Sequence, residues 1–406
     1  MRFILLNQYY PPDVAPTGVL LSHVAEHLAQ SGHDVTVLCS KQRYGGQSGE
    51  TTQPKVIDGL HVRPLATFPL GKRFHHKLLH YGSFYALLAW KLLTTRRKPD
   101  VVIALTTPPY LGLLANIVGL LRSWHTIDWI MDLYPDVMKA HGMIREESLT
   151  YRFLQRLQRW SLRRSKLAIT LGPDMQARVA EHYDASSIAL PLWAERRQAT
   201  KEAVQSYRHQ CGWDEESTVF LYSGNLGLGH RFDEWLTAIA ELGPDSPITW
   251  VFSGKGAQRG KVEAFVQEEA HGALPIHLTD YVSEEDLAVH LAAGDVHLAS
   301  LDPPWDGCMV PSKLQGSFAA GRPILFIGSK TSSLGQWITA SGGGWVVAPD
   351  DAHALHSAIK EALAPNERRL CSERALAYAR DHFDRAKNIA AFQHAIMKAI
   401  SPPQLD

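Results

Sequence analysis

The sequence predicts an α/β protein of two domains, each a parallel β-sheet wound with helices, and three observations carry that expectation. Short apolar runs preceded by turn residues alternate with helix-length amphipathic segments along the chain, the rhythm of βαβ units. The rhythm breaks once, at Pro191-Leu192-Trp193 and the polar stretch Ala194 to Gln205, and then restarts. The length, 406 residues, suits two domains at roughly 100 to 200 residues each. With 45% apolar and 20% charged residues, and 30 Gly and 23 Pro scattered throughout, the composition is globular and excludes disordered and fibrous classes.

The run Arg2 to Asn7 reads as the first strand, being too brief for a secretory apolar region or a membrane span. A helix follows near Val19 to Ser31, then a strand from Asp34 to Cys39. Leu78 to Leu93 is the most lipid-like stretch, but His80, Gly82 and Lys91 interrupt it, so it reads as a surface or core helix. Strands at Lys98 to Leu105, Thr126 to Leu133 and Lys166 to Leu171 complete a first, Rossmann-like domain of residues 1–195. The second series of strands comprises Thr218 to Gly224, Ile248 to Gly254, Ile276 to Val282, Asp295 to Leu301, Arg322 to Gly328 and Gly343 to Pro349. Helices such as Phe232 to Glu241 and Lys261 to Ala270 lie between them, giving a second domain of residues 196–383. Residues 384–406, with an amphipathic helix from Asp384 to Ile400, are assigned back to the first domain.

Net charge is zero but divided: residues 1–200 hold 24 Lys and Arg against 15 Asp and Glu, and residues 201–406 hold 17 against 26. The first half is the better host for an anionic surface or substrate. Cys39, Cys211, Cys308 and Cys371 are far apart and match no disulfide framework or zinc spacing, which fits a reducing compartment.

In open α/β sheets, ligands bind beyond the carboxyl ends of strands, and two such domains in tandem imply a cleft. After the first strand, a Pro-bracketed loop runs to Thr17-Gly18, where Thr17 can cap a helix and Gly18 lets an anion approach the backbone. A purely structural βα turn is the competing reading. The glycine loop Gly224-Asn225-Leu226-Gly227-Leu228-Gly229-His230-Arg231 follows another strand; its spacing is not the dinucleotide fingerprint, and Arg231 offers a donor fork for a phosphate. Lys255, between Gly254 and Gly256, puts a second cation at a strand end. The segment Asp302 to Leu314 closes on Pro311-Ser312-Lys313-Leu314 at the start of a short helix ending at Gly321, where free amides and Lys313 would seat a diphosphate. Pro at a helix start and Gly at its end explain Pro311 and Gly321 without a ligand, but not the loop between.

Other signals carry less. Gly328-Ser329-Lys330-Thr331-Ser332 lacks the upstream glycine of a P-loop. His75, His76 and His80 have no carboxylate partner for a metal. Asp350-Asp351 reads as a helix cap. Arg152, Arg156, Arg159 and Arg163 recur at helical spacing with Arg164 and Lys166 after them, while Phe153, Leu154 and Leu157 are placed on other faces. With Lys72, Arg73, Lys77 and Arg96-Arg97-Lys98, they read either as a solvated face or as a surface that docks on anionic lipid.

These motifs in their order resemble glycosyltransferase family 4, retaining enzymes of the GT-B fold: two Rossmann-like domains facing each other across a cleft. The resemblance rests on Ser223 to Gly227, Asp280 to Leu287, Ala292 to Leu301, and Pro311 to Leu314 followed by Ala319 to Pro323. Pro11 to Gly18 and Met131 to Asp136 look most like the branch containing aminosugar transferases of bacterial O-antigen and capsule assembly. The resemblance implies transfer of a sugar, a hexosyl or N-acetylaminosugar unit, from a nucleotide diphosphate-sugar, by analogy a UDP-sugar. The acceptor would be a carbohydrate or a polyprenyl-linked molecule. It also implies no cofactor, metal or nucleic acid, and a cytoplasmic location; peripheral contact with an anionic membrane at its inner face is the docking reading of the basic segments, open beside the solvated one.

On this sequence the family pattern puts the donor diphosphate at Gly224, Asn225, Lys255, Pro311, Ser312, Lys313 and Leu314. It sets the nucleobase against Tyr281-Val282-Ser283 near Leu287, and turns Thr17-Gly18 toward the diphosphate. Arg231 and Lys313 would stabilise the leaving group electrostatically, and Asp132 would border the sugar and acceptor and orient a hydroxyl. There is a departure: the two glutamates of many members fall at Cys308 and Gly316, with Asp306 the nearby carboxylate. Two other classes stay open, a GT-B nucleotide-sugar 2-epimerase and a non-catalytic protein that binds sugar nucleotides or a membrane surface.

Overall fold

The computed structural model describes residues 1–13, 15–41, 57–69, 74–195, 199–214, 216–269 and 274–401. Val14, Lys72, Arg73, residues 196–198 of the polar stretch and Ala270 lie outside these. The chain divides into two compact units, Met1–Leu190 with the chain from Ile389 onward, and Pro191–Asn388.

Unit 1 is built on seven strands: β1 (Arg2–Leu6), β2 (Asp34–Ser40), β3 (Leu60–Leu65), β4 (Val101–Ala104), β5 (His125–Trp129), β6 (Leu167–Thr170) and β7 (Ser187–Ala189). They pair in the order β3-β2-β1-β4-β5-β6-β7, all parallel. The central strands are apolar on both faces, as a sheet covered on both sides requires: Val101 to Ala104 and Leu167 to Thr170 are buried without exception. The two strands the sequence does not signal, β3 and β7, are the edges. Leu60-His61-Val62-Arg63-Pro64-Leu65 carries a proline and two basic residues, and β7 has only three residues; edges tolerate both.

The helices of unit 1 are α1 (Pro16–Gln30), α2 (Phe74–Thr94), α3 (Leu111–Arg122), α4 (Asp136–Ala140), α5 (Leu149–Arg164) and α6 (Pro173–Arg178). Pro16 opens α1, where its missing N–H costs nothing. The cap is not Thr17, as expected, but Ala15, which carries no capping side chain; the Asp13 carboxylate instead accepts from the Ala15 N–H at 3.0 Å. Phe84, Leu88 and Leu92 of α2 and Leu111, Ala115 and Val118 of α3 share one core with Ile4, Leu6, Val102 and Ala104, so both helices cover the same face of the sheet.

Unit 2 has six parallel strands, β8 (Thr218–Ser223), β9 (Ile248–Ser253), β10 (Ile276–Thr279), β11 (Val296–Ser300), β12 (Ile324–Ile327) and β13 (Gly344–Val347), in the order β10-β9-β8-β11-β12-β13. Its helices are α7 (Lys201–Gln210), α8 (Asp233–Leu242), α9 (Arg259–Glu269), α10 (Leu287–Ala293), α11 (Lys313–Ala319), α12 (Ser333–Ser341), α13 (Ala352–Leu363) and α14 (Pro365–His382). Trp235 of α8 is buried with Phe220 and Trp250, whose rings lie 5.0 Å apart across the β8/β9 pair. A last helix, α15 (Arg385–Ile400), crosses from unit 2 into unit 1, where the Phe392 ring packs 4.6 Å from that of Trp129.

In each sheet the strand order reverses at one point, between β1 and β4 and between β8 and β11, and the loops leaving those strands part to opposite faces. In unit 2 the loops after β8, β9 and β10 stay zipped. Gly224 N–H donates to Ser253 O (2.9 Å), Leu226 N–H to Lys255 O (2.8 Å) and Gly254 N–H to Thr279 O (3.0 Å), continuing the sheet ladder past the strand ends. Gly254 is in the positive-φ region, and a Cβ there would stand 2.0 Å from Gly224 O. Gly254→Ala should therefore lower the stability of unit 2 by roughly 2 kcal/mol or more, read as a fall in its urea midpoint; an unchanged midpoint would show that the loops can part freely.

Candidate active site

The zipped loops of unit 2 carry the glycine segment 224–231 and Lys255, and Lys313, the first residue of α11, reaches into them. Gly224 makes room: the Lys313 Cε would lie 3.2 Å from a Cβ at that position. The Lys313 ammonium stands 3.1 Å from His230 Nε2 and 4.7 Å from the centroid of the Tyr222 ring. His230 Nδ1–H donates to the Ser300 carbonyl, which leaves Nε2 as the acceptor facing the lysine. Burial, with the lysine charge beside it, pushes His230 down to about 3, so the imidazole is neutral at ordinary pH.

Lys313 is thus oriented by a neutral nitrogen and an aromatic face, neither of which cancels its charge. No carboxylate pairs with it among the described residues, and burial pushes its ammonium down to about 7 from the usual 10.5. An anion arriving at the site would reverse that shift. Pro311 and Leu314 are buried beside it, and Ser312 is exposed.

Asn225 is exposed, with its side chain lying across Gly227 and Gly256; Cβ atoms there would meet Asn225 Nδ2 at 2.9 Å and Oδ1 at 2.7 Å. Lys255 pairs with Asp280 at 3.0 Å, both largely exposed, so this pair is easily exchanged for another anion. Tyr281 presents an exposed ring, its hydroxyl 3.4 Å from the Lys255 carbonyl, next to half-buried Val282 and exposed Ser283.

Arg231 is the exception. Its guanidinium, expected to face a phosphate, is held by Glu234, by Asp302 at 2.8 Å and by Asp350 at 2.6 Å, so its charge is already matched. Glu234 sits three residues on, and Asp302 and Asp350 come from distant loops. Cys308 is fully buried, and a Cβ on Gly316 would meet only Leu291 Cδ1, at 3.8 Å. Asp351 caps α13 by accepting from the Ala354 N–H at 2.9 Å, and Ser332 caps α12, which accounts for the P-loop-like stretch as local structure.

Thr17, Gly18 and Asp132 lie in unit 1. Asn7, at the end of β1, donates through Nδ2 to the Tyr9 carbonyl at 2.8 Å and to Thr17 Oγ1 at 3.4 Å. A Cβ on Gly18 would stand 3.0 Å from the Tyr9 carbonyl, so glycine lets that loop close on α1. Asp132 follows β5; its N–H donates to Thr106 Oγ1 at 3.1 Å. Burial pushes its carboxyl up to about 6, and no cation pairs with it among the described residues. His80 is accounted for structurally, bonded to Gln8 Nε2 at 3.0 Å and to the Phe68 carbonyl at 2.7 Å. Sequence reasoning missed the orienting pair His230 and Ser300 and the Tyr222 face, because these contacts join β8, β11 and α11.

Residues 17–191 match the glycosyl transferase 4-like domain family. Over 89% of its length the chain is 27% identical to the "probable glycosyltransferase WbjE" of Pseudomonas aeruginosa, covering 89% of that protein. It is 26% identical, over 89% of this chain and 92% of the other, to WcaI of Escherichia coli (strain K12), whose name attaches it to colanic acid biosynthesis as a glycosyl transferase. Among solved structures, the Anabaena protein Alr3699/HepE, crystallised with UDP and glucose, superposes with a TM-score of 0.72 at 12% identity, covering 98% of this chain and all of that one. WaaG, a glycosyltransferase involved in lipopolysaccharide biosynthesis, superposes with a TM-score of 0.70 at 19% identity over 98% and 99% of the two chains.

The buried lysine has a thermodynamic signature. Because its folded pKa lies below its unfolded one, the unfolded chain binds the extra proton between about pH 7 and 10.5; the destabilisation is full below pH 7 and relieved above it. Lys313→Met should therefore raise the melting temperature at pH 6 to 7, by roughly 2–4 °C for each kcal/mol recovered, while weakening nucleoside diphosphate binding. A variant that melts lower and binds normally would show the ammonium to be matched after all.

Proposed function

As a glycosyltransferase of the family 4 kind, this chain, we propose, moves a hexosyl or N-acetylaminosugar unit from a nucleotide diphosphate-sugar to a carbohydrate or polyprenyl-linked acceptor in cell-surface polysaccharide assembly. The donor is proposed to be a UDP-sugar, by analogy with the Anabaena protein, and the anomeric configuration to be retained. The reading places the protein in the cytoplasm, at the inner face of the membrane. The observation that carries it is the unmatched Lys313 ammonium, oriented by His230 and Tyr222 at the carboxyl end of the unit 2 sheet.

In this reading unit 2 takes the donor. The diphosphate sits against Gly224, Asn225, Pro311, Ser312 and Leu314, and Lys255 exchanges Asp280 for a phosphate oxygen. The nucleobase lies on Tyr281 and Val282. As the bond from the anomeric carbon to the diphosphate oxygen breaks, electrons pass to the diphosphate, where Lys313 meets the growing charge in a partly dehydrated setting. The acceptor hydroxyl forms the new bond to that carbon, and its proton passes to the departing diphosphate oxygen. Unit 1 takes the acceptor, with Asp132 orienting the hydroxyl and Thr17-Gly18 turned to the diphosphate. Arg231, with three carboxylates on it, holds the glycine loop to the loops after β11 and β13 and contributes no charge to the leaving group.

The assay is release of nucleoside diphosphate from a panel of sugar donors, with and without polyprenyl-linked and soluble acceptors. Acceptor-stimulated release with a product of unchanged anomeric configuration is expected; a 2-epimer formed without transfer, or binding without turnover, would replace this reading with an epimerase or a binding protein. Asp132→Asn should lower kcat about 100-fold with nucleotide binding unchanged. Because the ionised carboxylate is the orienting form and its pKa is raised to about 6, turnover should fall as pH drops through 6, and the Asn variant should lose that limb. An identical acid limb in the variant would assign it to another group.

A further inference from the structure

At the amino end of the unit 2 sheet, opposite the glycine loop, lies a recess of about 420 Å³. It is lined by α7, by the ends of α10 and α11, and by Leu376 of α14, with Asp295 and Arg322 entering just before β11 and β12. Helix α11 begins at Lys313 and ends at Ala319 in this recess, so the candidate diphosphate seat and the recess stand at the two ends of one seven-residue helix.

Charge in the recess is unbalanced. Lys201, Arg208 and Arg322 line it against a single lining carboxylate, Asp295. That carboxylate is already engaged: its Oδ2 accepts from Arg208 at 2.8 Å and from the Val219 N–H at 2.9 Å. Arg208 donates as well to the Ala293 carbonyl, at 2.6 and 3.0 Å, which ties it to the end of α10. Arg322 is served less well. It donates to the Ala292 carbonyl, but its Nε is buried with no hydrogen-bond partner among the described residues, and Asp295 Oδ1 is 4.0 Å away. Burial holds its guanidinium below the usual value; Asp295 opposes that shift, and Arg208 and Arg368 nearby add to it. Lys201, at the start of α7, is exposed and has no ion pair among the described residues.

We propose that this recess binds a phosphate monoester of hexose phosphate size, with the phosphate set against Arg322 and Lys201 and the body of the molecule against Val204 and Leu376. Charge selects the class: three cations less one carboxylate leave an excess of two, which a monoester matches with its charge of about −1.5 to −2 at neutral pH. The volume admits a small molecule and no folded partner. Val204, Ala292, Ala319 and Leu376 give ring carbons an apolar wall, and exposed Gln205 offers both a donor and an acceptor to hydroxyls. The carbonyls ending α10, which would repel an anion, are already covered, Ala292 by Arg322 and Ala293 by Arg208. The recess belongs to unit 2 alone and would bind its ligand whether or not the chain transfers a sugar.

The test is isothermal titration calorimetry of the full chain with glucose 6-phosphate, and with glucose as the uncharged control. Glucose 6-phosphate should bind with a Kd of about 1 mM or tighter, and glucose should not bind. Arg322→Gln, which keeps a donor for the Ala292 carbonyl, should weaken binding about 10-fold or more. Lys201→Gln, at an exposed position that the fold does not need, should weaken it about three- to fivefold. Lys313→Met should leave it unchanged. Absence of glucose 6-phosphate binding, equal binding of glucose, or binding unaltered in Lys201→Gln or in folded Arg322→Gln would overturn the proposal. So would loss of binding in Lys313→Met, since that assigns the phosphate to the other end of α11. If Arg322→Gln does not fold, Lys201→Gln and Lys313→Met decide between the two ends.

Discussion

The organising constraint of unit 2 is a desolvated positive charge with which no carboxylate pairs among the described residues. Burying an ammonium is costly, and proteins ordinarily relieve the cost with a carboxylate. Here the neighbours of Lys313 are a neutral imidazole and a phenol ring, which aim the charge without neutralising it. The neutrality of His230 is itself arranged, since the Ser300 carbonyl takes its proton-bearing nitrogen and the lysine faces the other. The glycines serve the same end. Gly224 leaves space for the lysine stem, and Gly254 and Gly256 let three loops continue the ladder of the sheet, so the surface below the charge is rigid.

Against that background the fate of Arg231 is informative. Unit 2 comes from the acidic half of the chain, and its carboxylates are not spread evenly: Glu234, Asp302 and Asp350 converge on one arginine, and Asp280 lies against Lys255 and Arg259. Two cations in one loop region thus have opposite roles. Arg231 is matched by three carboxylates, and Lys313 pairs with none among the described residues.

Much of the fold was legible because parallel sheets covered on both faces need continuous apolar runs, and those runs stand out in Phe3 to Leu6, Val101 to Ala104 and Ile324 to Ile327. Legibility failed at the edges, where β3 and β7 have no such need, and at the start of α1, where Ala15 rather than Thr17 is the cap. For the candidate site, residue type was informative and partnership was not. Lys313 and Arg231 look alike in sequence as cations expected to face a phosphate, one at a helix start and one after a strand; only the long-range contacts to Asp302, Asp350 and His230 distinguish them.

The most direct measurement is an NMR titration of Lys313 in the full chain labelled with ¹³C and ¹⁵N at lysine, its signal assigned by loss in Lys313→Met. The free protein should titrate near 7 at this position, and saturating UDP should move the midpoint upward as the diphosphate supplies the missing counter-charge. A midpoint at the ordinary lysine value of 10.5 in the free protein, unmoved by UDP, would contradict the central claim that this ammonium is held unmatched for a diphosphate.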